Sequence, residues 1–466
     1  MVEALTLLIA ASFAASLVGF LAGRSERGSV IAVAAGSGLS LSLSLIVWEE
    51  CIRTGLARAP LLAGELDPLG ALVLIYSNLI AVLAAVYNAG LGPRGRLPLN
   101  LYNLFFLLLI FSFNYMVVAR NALLLFLLIE ALIGITVALV GHSPRSDAPE
   151  VAFRFLVITA ISAFCVLLGV TLLAVSRGTY LLNPLDAAAG NSLLLLAAIL
   201  FTIGLGADIG LFPFHAWVPD AFPASTSIVN VLSCAEHTPL FVGLYNLLLA
   251  ATSTGYASEL TPLLLALGFT AMPFGYLLAP RQEDPLRVLA YYAIGEYGVI
   301  LTALSVTLAD PSVAHAWISY ALNSSLMKAG LFACLGLATV EEVWNQLPRR
   351  AREIVALSFA ICFFSSIGIP PFSGFHAKLH YFLLILGYFS STLGLWAGVA
   401  AALAVLALSF IPLYVFTNML HNLFLSRLEG GGRMQARTVA AVAPCVVLAS
   451  TAVAIGLWPR LLFPSL

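Results

Sequence analysis

The sequence predicts an all-α polytopic membrane protein of about fourteen transmembrane helices, with broken helices 7 and 12 and two inverted five-helix repeats. Three observations lead there. Of the 466 residues, 61% are hydrophobic and only 9% are charged. A soluble domain carries roughly 25% charged residues, so this chain cannot cover a soluble surface of its size. The apolar residues also fall into long runs separated by short polar loops. Finally, two of those runs are interrupted by proline, at Pro213 and at Pro370-Pro371.

A spanning helix needs about 20 apolar residues. The runs that reach this length lie at 3–23, 29–48, 69–91, 98–118, 121–141, 151–175, 193–217 and 228–251, then at 261–280, 286–308, 312–338, 354–390, 394–422 and 438–458. Residues 3–23 lack a basic leader, carry Glu3 and precede a second apolar run, so they read as the first membrane helix and not as a cleaved signal. The run 354–390 is too long for one straight pass and contains Pro370-Pro371. Arginine sets the expected orientation. With the N-terminus outside, fourteen arginines fall in inner loops and five in outer loops, and positive residues favour the cytoplasmic side. Both termini are therefore expected to face out.

The repeats come from spacing. Glu130 in span five stands 78 residues before Asp208 in span seven, and Glu296 in span ten stands 82 residues before Lys378 in span twelve. Spans four to eight thus read as one five-helix unit and spans nine to thirteen as its copy, inverted because the helix number per unit is odd. The chain divides accordingly into 1–95 (spans one to three), 96–252 (first repeat), 253–424 (second repeat) and 425–466 (the last helix).

Composition also excludes functions. Net charge is −1 and no basic tract occurs, so nothing points to nucleic acid; the partner the sequence demands is the lipid bilayer. Six scattered cysteines without a CxxC pair read as small packing residues. No long hydrophilic insert provides a soluble catalytic domain.

The candidate functional residues are charges in apolar runs. The only two lysines are Lys328, in LNSSLMKAGLF, and Lys378, in SGFHAKLHYFLL. A lysine at mid-bilayer costs roughly 2.5–3.5 kcal/mol on insertion scales; near a helix end it could instead snorkel to the headgroups. Glu130, Asp208, Glu236 and Glu296 share the predicament, and His215, His237, His315 and His376 lie in or beside the same helices. Histidine titrates nearest neutrality, so this series can hand protons along; the alternative is a set of mutually neutralising buried pairs. Proline inside a span frees carbonyls that only protein or water can satisfy, and paired helix breaks in two halves point to a transport site.

These residues also carry a resemblance. The helix of Glu130 ending in LVGH, then LFPFHAWVPDAF, DPLRVLAYYAIGEYG, NSSLMKAGLFACLG and GIPPFSGFHAKL occur in an order and spacing that resemble the antiporter-like subunits of respiratory complex I, membrane-bound hydrogenases and Mrp-type Na+/H+ antiporters. The resemblance covers about spans four to thirteen. It implies fourteen helices with inverted repeats and a helix-five glutamate, here Glu130, paired with a helix-seven lysine. That lysine position is held here by Asp208. Lys328 matches the central lysine of helix eleven and Lys378 the Lys/Glu position of helix twelve. Glu296 stands where many relatives have histidine, and helix eight offers Glu236, His237 and Thr238. Two acids repel, so the first half-channel is expected either to be inactive for the usual proton step or to hold a cation such as Na+.

The expected function is thus ion translocation, of protons or Na+, by one subunit of an energy-converting redox complex. A stand-alone Mrp-type antiporter subunit is the alternative, with an organic-solute transporter or a structural scaffold more remote. The chain is expected to bind no cofactor itself and to offer no nucleophile or metal site. Iron–sulfur clusters or other redox groups belong to partner subunits, which include other antiporter-like subunits and a peripheral redox module. The prokaryotic plasma membrane is the expected location, and the stop at Leu466 likens the chain to the shorter family members.

Overall fold

The computed structural model describes residues 3–59, 64–92, 95–182, 192–252, 257–429 and 436–461. It divides into two compact units, Met1–Ala85 with Gly92–Leu263, and Val86–Leu91 with Leu264–Leu466. The first unit holds α1 (Ala4–Ala22), α2 (Glu26–Thr54), a hairpin of β1 (Ala57–Ala59) and β2 (Gly64–Leu66), and most of α3 (Pro68–Leu91). Then come α4 (Leu99–Val118), α5 (Ala122–Gly141), α6 (Ala148–Arg177), α7 (Ser192–Ile209), the short α8 (Val218–Ala224) and α9 (Ser227–Thr252). The second unit takes the chain from Leu264 within α10 (Ala257–Leu278) through α11 (Pro285–Ala309), α12 (Ala314–Ala338), the short α13 (Glu341–Gln346), α14 (Arg349–Ile367), α15 (Ser373–Leu393), α16 (Leu395–Met419) and α17 (Ala436–Leu457).

Polar side chains start several of these helices by capping amides that have no partner within the helix. Ser25 accepts from Gly28, Asn121 from Leu123 and Leu124, and Asp284 from Leu286. At the end of α5, His142 accepts the Leu97 amide through Nδ1 at 2.9 Å. Burial pushes that imidazole down to about 4, so it remains the neutral acceptor.

Among the described residues, twelve helices are long and apolar enough to cross a membrane. The other two predicted spans are helical but less apolar. One is α9, diluted by Asn230, Glu236, His237 and Asn246; the other is α14 with α15, which carry Arg349, Arg350, Arg352 and Glu353 at one end and His376, Lys378 and His380 further on. Membrane helices that must keep polar groups do so inside the protein, and the burial follows that rule. In α12, which carries Lys328, the apolar stretch is buried on all sides, whereas α6 turns Phe153, Ile161 and Phe164 outward.

Both predicted breaks are present. α7 stops at Ile209, Gly210 turns with φ +85°, and a tight turn over His215–Trp217 leads into α8. α14 stops at Ile367, Gly368 turns with φ +84°, and α15 starts at Ser373. Only glycine adopts that backbone region freely. The peptide bonds before Pro213 and Pro371 are cis.

The two ionisable residues stand differently about their hinge glycines, although their spacings from the preceding acid, 78 and 82 residues, are nearly equal. Asp208 lies two residues before its glycine hinge, and Lys378 lies ten residues after its own. The positional counterpart of Lys378 is therefore Asp220 in α8, and that of Asp208 is Ser366.

Small residues bring α10 and α11 into backbone contact. A Cβ on Gly275 would fall on the Gly295 amide and the Tyr291 carbonyl, and one on Gly298 would meet the Gly268 carbonyl. Gly275→Val is accordingly expected to cost stability of the order of 1–3 kcal/mol or more. It should lower the yield of monodisperse, detergent-extracted protein and its thermal midpoint; an unchanged midpoint would refute the close packing.

Candidate functional site

In the first unit the three acids stand on α5, α7 and α9, with no hydrogen bond joining them among the described residues. Asp208 occupies the last turn of α7 and is 2% exposed. Among the described residues, neither of its carboxylate oxygens receives a hydrogen bond. The neighbouring Ser162 hydroxyl donates to the Gly204 carbonyl at 2.6 Å. Glu130 lies half-buried on α5 in the same unit. Glu236 on α9 accepts from Thr136 at 2.9 Å, and His237 is buried beside it. Trp217 clamps the break by stacking on Phe155, ring centroids 3.9 Å apart, and by donating to the Ala207 carbonyl at 2.8 Å. That clamp fixes the turn on which Asp208 stands. His215 lies half-buried in the same turn, against the ring of Phe212, and Pro213 is exposed. No lysine lies in this unit, since both belong to the second.

The second unit is more connected. Glu296 on α11 is 2% exposed, and its Oε1 accepts from the phenols of Tyr276 at 2.6 Å and Tyr320 at 3.1 Å. Three helices, α10, α11 and α12, converge on this carboxylate. Lys328 on α12 places its ammonium over the Tyr297 ring, 4.1 Å from the centroid, a favourable cation–π position. Lys378 on α15 donates to the Ile367 carbonyl at 2.9 Å and to Ser409 at 3.3 Å. Its stem packs on Gly368, where a Cβ would collide with it.

Next to the break, Ser373 donates to Asn323 at 2.6 Å and pairs with Ser365 at 2.9 Å. Pro370 and Pro371 are exposed. His376 meets the Gly456 carbonyl at 3.0 Å; His380 meets the His376 carbonyl at 2.8 Å and faces His315, ring centroids 6.0 Å apart.

Sequence reasoning missed Tyr276, Tyr292, Tyr320, Ser366, Asn323 and His380. Tyr292 left a signal one turn before Glu296 in YYAIGEYG, and Asn323 and His380 lie in the segments that carry Lys328 and Lys378. Tyr276, Tyr320, Ser366 and Asn323 become polar partners only through tertiary contact, whereas His380 bonds within its own helix.

Buried carboxylates, lysines and histidines distributed over helices with two mid-chain breaks define a class: a membrane-embedded chain built to move small ions. Residues 119–407 match the family model described as NADH:quinone oxidoreductase/Mrp antiporter, TM, and the chain belongs to that family. It is 27% identical to the NADH-quinone oxidoreductase subunit N 2 of Acidobacterium capsulatum, over 98% of this chain and 96% of that one. It is 28% identical to the F(420)H(2) dehydrogenase subunit N of Methanosarcina mazei, over 76% of this chain and 75% of the relative. A chain in the structure of the Mrp complex from Dietzia sp. shares the fold with a TM-score of 0.84 at 21% identity, covering 98% of this chain and 95% of that one.

Proposed function

We propose that the chain is the ion-translocating, antiporter-like membrane subunit of an energy-converting redox complex. The observation that carries this reading is the placement of the only two lysines, 1% and 8% exposed, in the unit that also holds Glu296 and the break before α15. Groups this costly inside a membrane are kept for function. Glu296, Lys328 and Lys378 form the second half-channel, which carries protons, with His315 and His376 as its outer polar steps.

Glu130, Asp208, Glu236 and His237 form the first half-channel, with His215 beside them; there Asp208 replaces the family's lysine, and a monovalent cation takes the place of the ammonium. The inverted repeats 96–252 and 253–424 carry one half-channel each. Redox cofactors, iron–sulfur clusters among them, sit in partner subunits, alongside other antiporter-like subunits and a peripheral module. The complex resides in a prokaryotic plasma membrane with both termini of this chain outside. The 27% identity over 98% of this chain to a NADH-quinone oxidoreductase subunit, against 21% to the Mrp chain, supports the redox assignment over a stand-alone antiporter.

Affinity purification of the tagged chain from its native membrane in mild detergent, followed by mass spectrometry, tests this. Iron–sulfur and reductase-type subunits are expected. Recovery of small hydrophobic antiporter subunits alone would replace the redox reading with an Mrp-type exchanger.

A further inference from the structure

We propose that Tyr292 and Ser366 form a two-hydroxyl relay that passes protons between Glu296 and Lys378 across the break after α14. The inference deepens the function proposed above and rests on it.

It starts from the carbonyls that a helix end leaves without an amide partner. In the last turn of α14, the Phe364 carbonyl takes the Ile369 amide at 2.9 Å and the Ser365 carbonyl takes the Gly368 amide at 3.0 Å. The next two carbonyls are taken by side chains. Ser366 receives the Tyr292 hydroxyl at 3.3 Å, and Ile367 receives the Lys378 ammonium at 2.9 Å. Tyr292 and Lys378 therefore dock on adjacent peptide units, and the break is what makes both places available.

The Tyr292 hydroxyl also meets Ser366 Oγ at 2.5 Å, in a pair where either oxygen can be the donor. A group that both donates and accepts is what proton passage requires. Toward the acid, Tyr292 stands one turn before Glu296 on α11. Its ring stacks on Tyr276, centroids 5.7 Å apart, and the Tyr276 phenol is itself held by Glu296. Tyr292 and Glu296, four residues apart, share one face of α11. Both members of the relay are buried from solvent.

In the transfer, the Lys378 ammonium swings from the Ile367 carbonyl and gives one proton to Ser366 Oγ. Ser366 passes its own hydroxyl proton to Tyr292, and Tyr292 passes its own to Glu296. Lys378 ends as a neutral amine and Glu296 as a neutral acid, with both hydroxyls restored; the reverse order reloads the lysine.

The test uses the intact purified complex in proteoliposomes loaded with pyranine, with proton entry driven by a valinomycin potassium potential, so that no electron donor need be known. Tyr292→Phe keeps the ring and removes the oxygen; it and Ser366→Ala are expected to slow proton entry at least about tenfold, in line with what positioned proton-transfer groups contribute. Ser366→Thr, which retains a hydroxyl, should restore most of the rate. Wild-type entry in Tyr292→Phe overturns the relay, and that variant decides alone should Ser366→Ala disturb assembly. Lys378→Ala separates the two levels: if it blocks entry while Tyr292→Phe does not, the relay fails and the proposed function stands. If Lys378→Ala has no effect, the proposed function fails with it.

Discussion

Replacing Lys378 with alanine is expected to lower proton translocation by about 10²-fold or more, the contribution typical of a proton-transfer group at its reacting position, while leaving the complex assembled. The ammonium is held by one backbone carbonyl at 2.9 Å and one serine hydroxyl at 3.3 Å, both neutral. No carboxylate is recorded in ion-pair contact with it among the described residues. A lysine held by neutral oxygens can release its proton without leaving a buried counter-charge behind, which a tight ion pair could not do.

The sharper variant is Lys378→Arg. Arginine keeps the charge and the donors but does not deprotonate in a protein, and its bulkier head must find room at a site where the Lys378 stem already packs tightly on Gly368. Lys378→Arg is therefore expected to be as inactive as Lys378→Ala, in contrast to a purely electrostatic anchor, which arginine would replace. Proton uptake by membrane vesicles measures the difference; a Lys378→Arg variant with near-normal uptake would show that the amine never gives up its proton.

How much of this was legible in the sequence depends on the kind of interaction. Hydropathy alone located the spans, because a bilayer imposes a length and a composition on each helix. The two breaks were legible as well, since proline announces them locally, although the left-handed hinge glycines and the short α8 were not located. The intramembrane charges stood out for the same reason: Lys328 and Lys378 are conspicuous against leucine and alanine.

What could not be read was which polar groups meet. Tyr276 and Tyr320 lie 20 and 24 residues from Glu296 in the chain. Tyrosine, amphipathic and common in membrane helices, gives no advance sign of turning its hydroxyl to a carboxylate. Ser366, one serine in an apolar run, carries no sequence mark of the carbonyl that the end of α14 leaves for Tyr292. The position of Asp208 before its break, against that of Lys378 after its own, was also hidden, because nearly equal spacings of 78 and 82 residues mask a different placement around the hinge.

Asp208→Asn is expected to abolish any dependence of translocation on Na+ while leaving the fold intact. Asp208 is 2% exposed, and both its oxygens lack a hydrogen-bond donor among the described residues. A buried carboxylate without donors or a counter-charge carries a penalty of several kcal/mol, so the group must either hold a proton or bind a cation. Glu130 on α5 is a second acid of the same unit, so a cation held at Asp208 would be drawn by two negative charges. The lone pairs available are oxygen, the donor type that hard cations take.

Asparagine conserves the volume and one carbonyl oxygen but removes the charge, so a cation would lose most of its electrostatic hold. Asp208→Lys makes the opposite change: it supplies an internal ammonium next to Glu130 and should convert the half-channel to Na+-independent proton transfer. Translocation measured in vesicles across a Na+ titration distinguishes the cases. If wild type and Asp208→Asn respond identically to Na+, the aspartate holds a proton instead, and the first half-channel takes no cation.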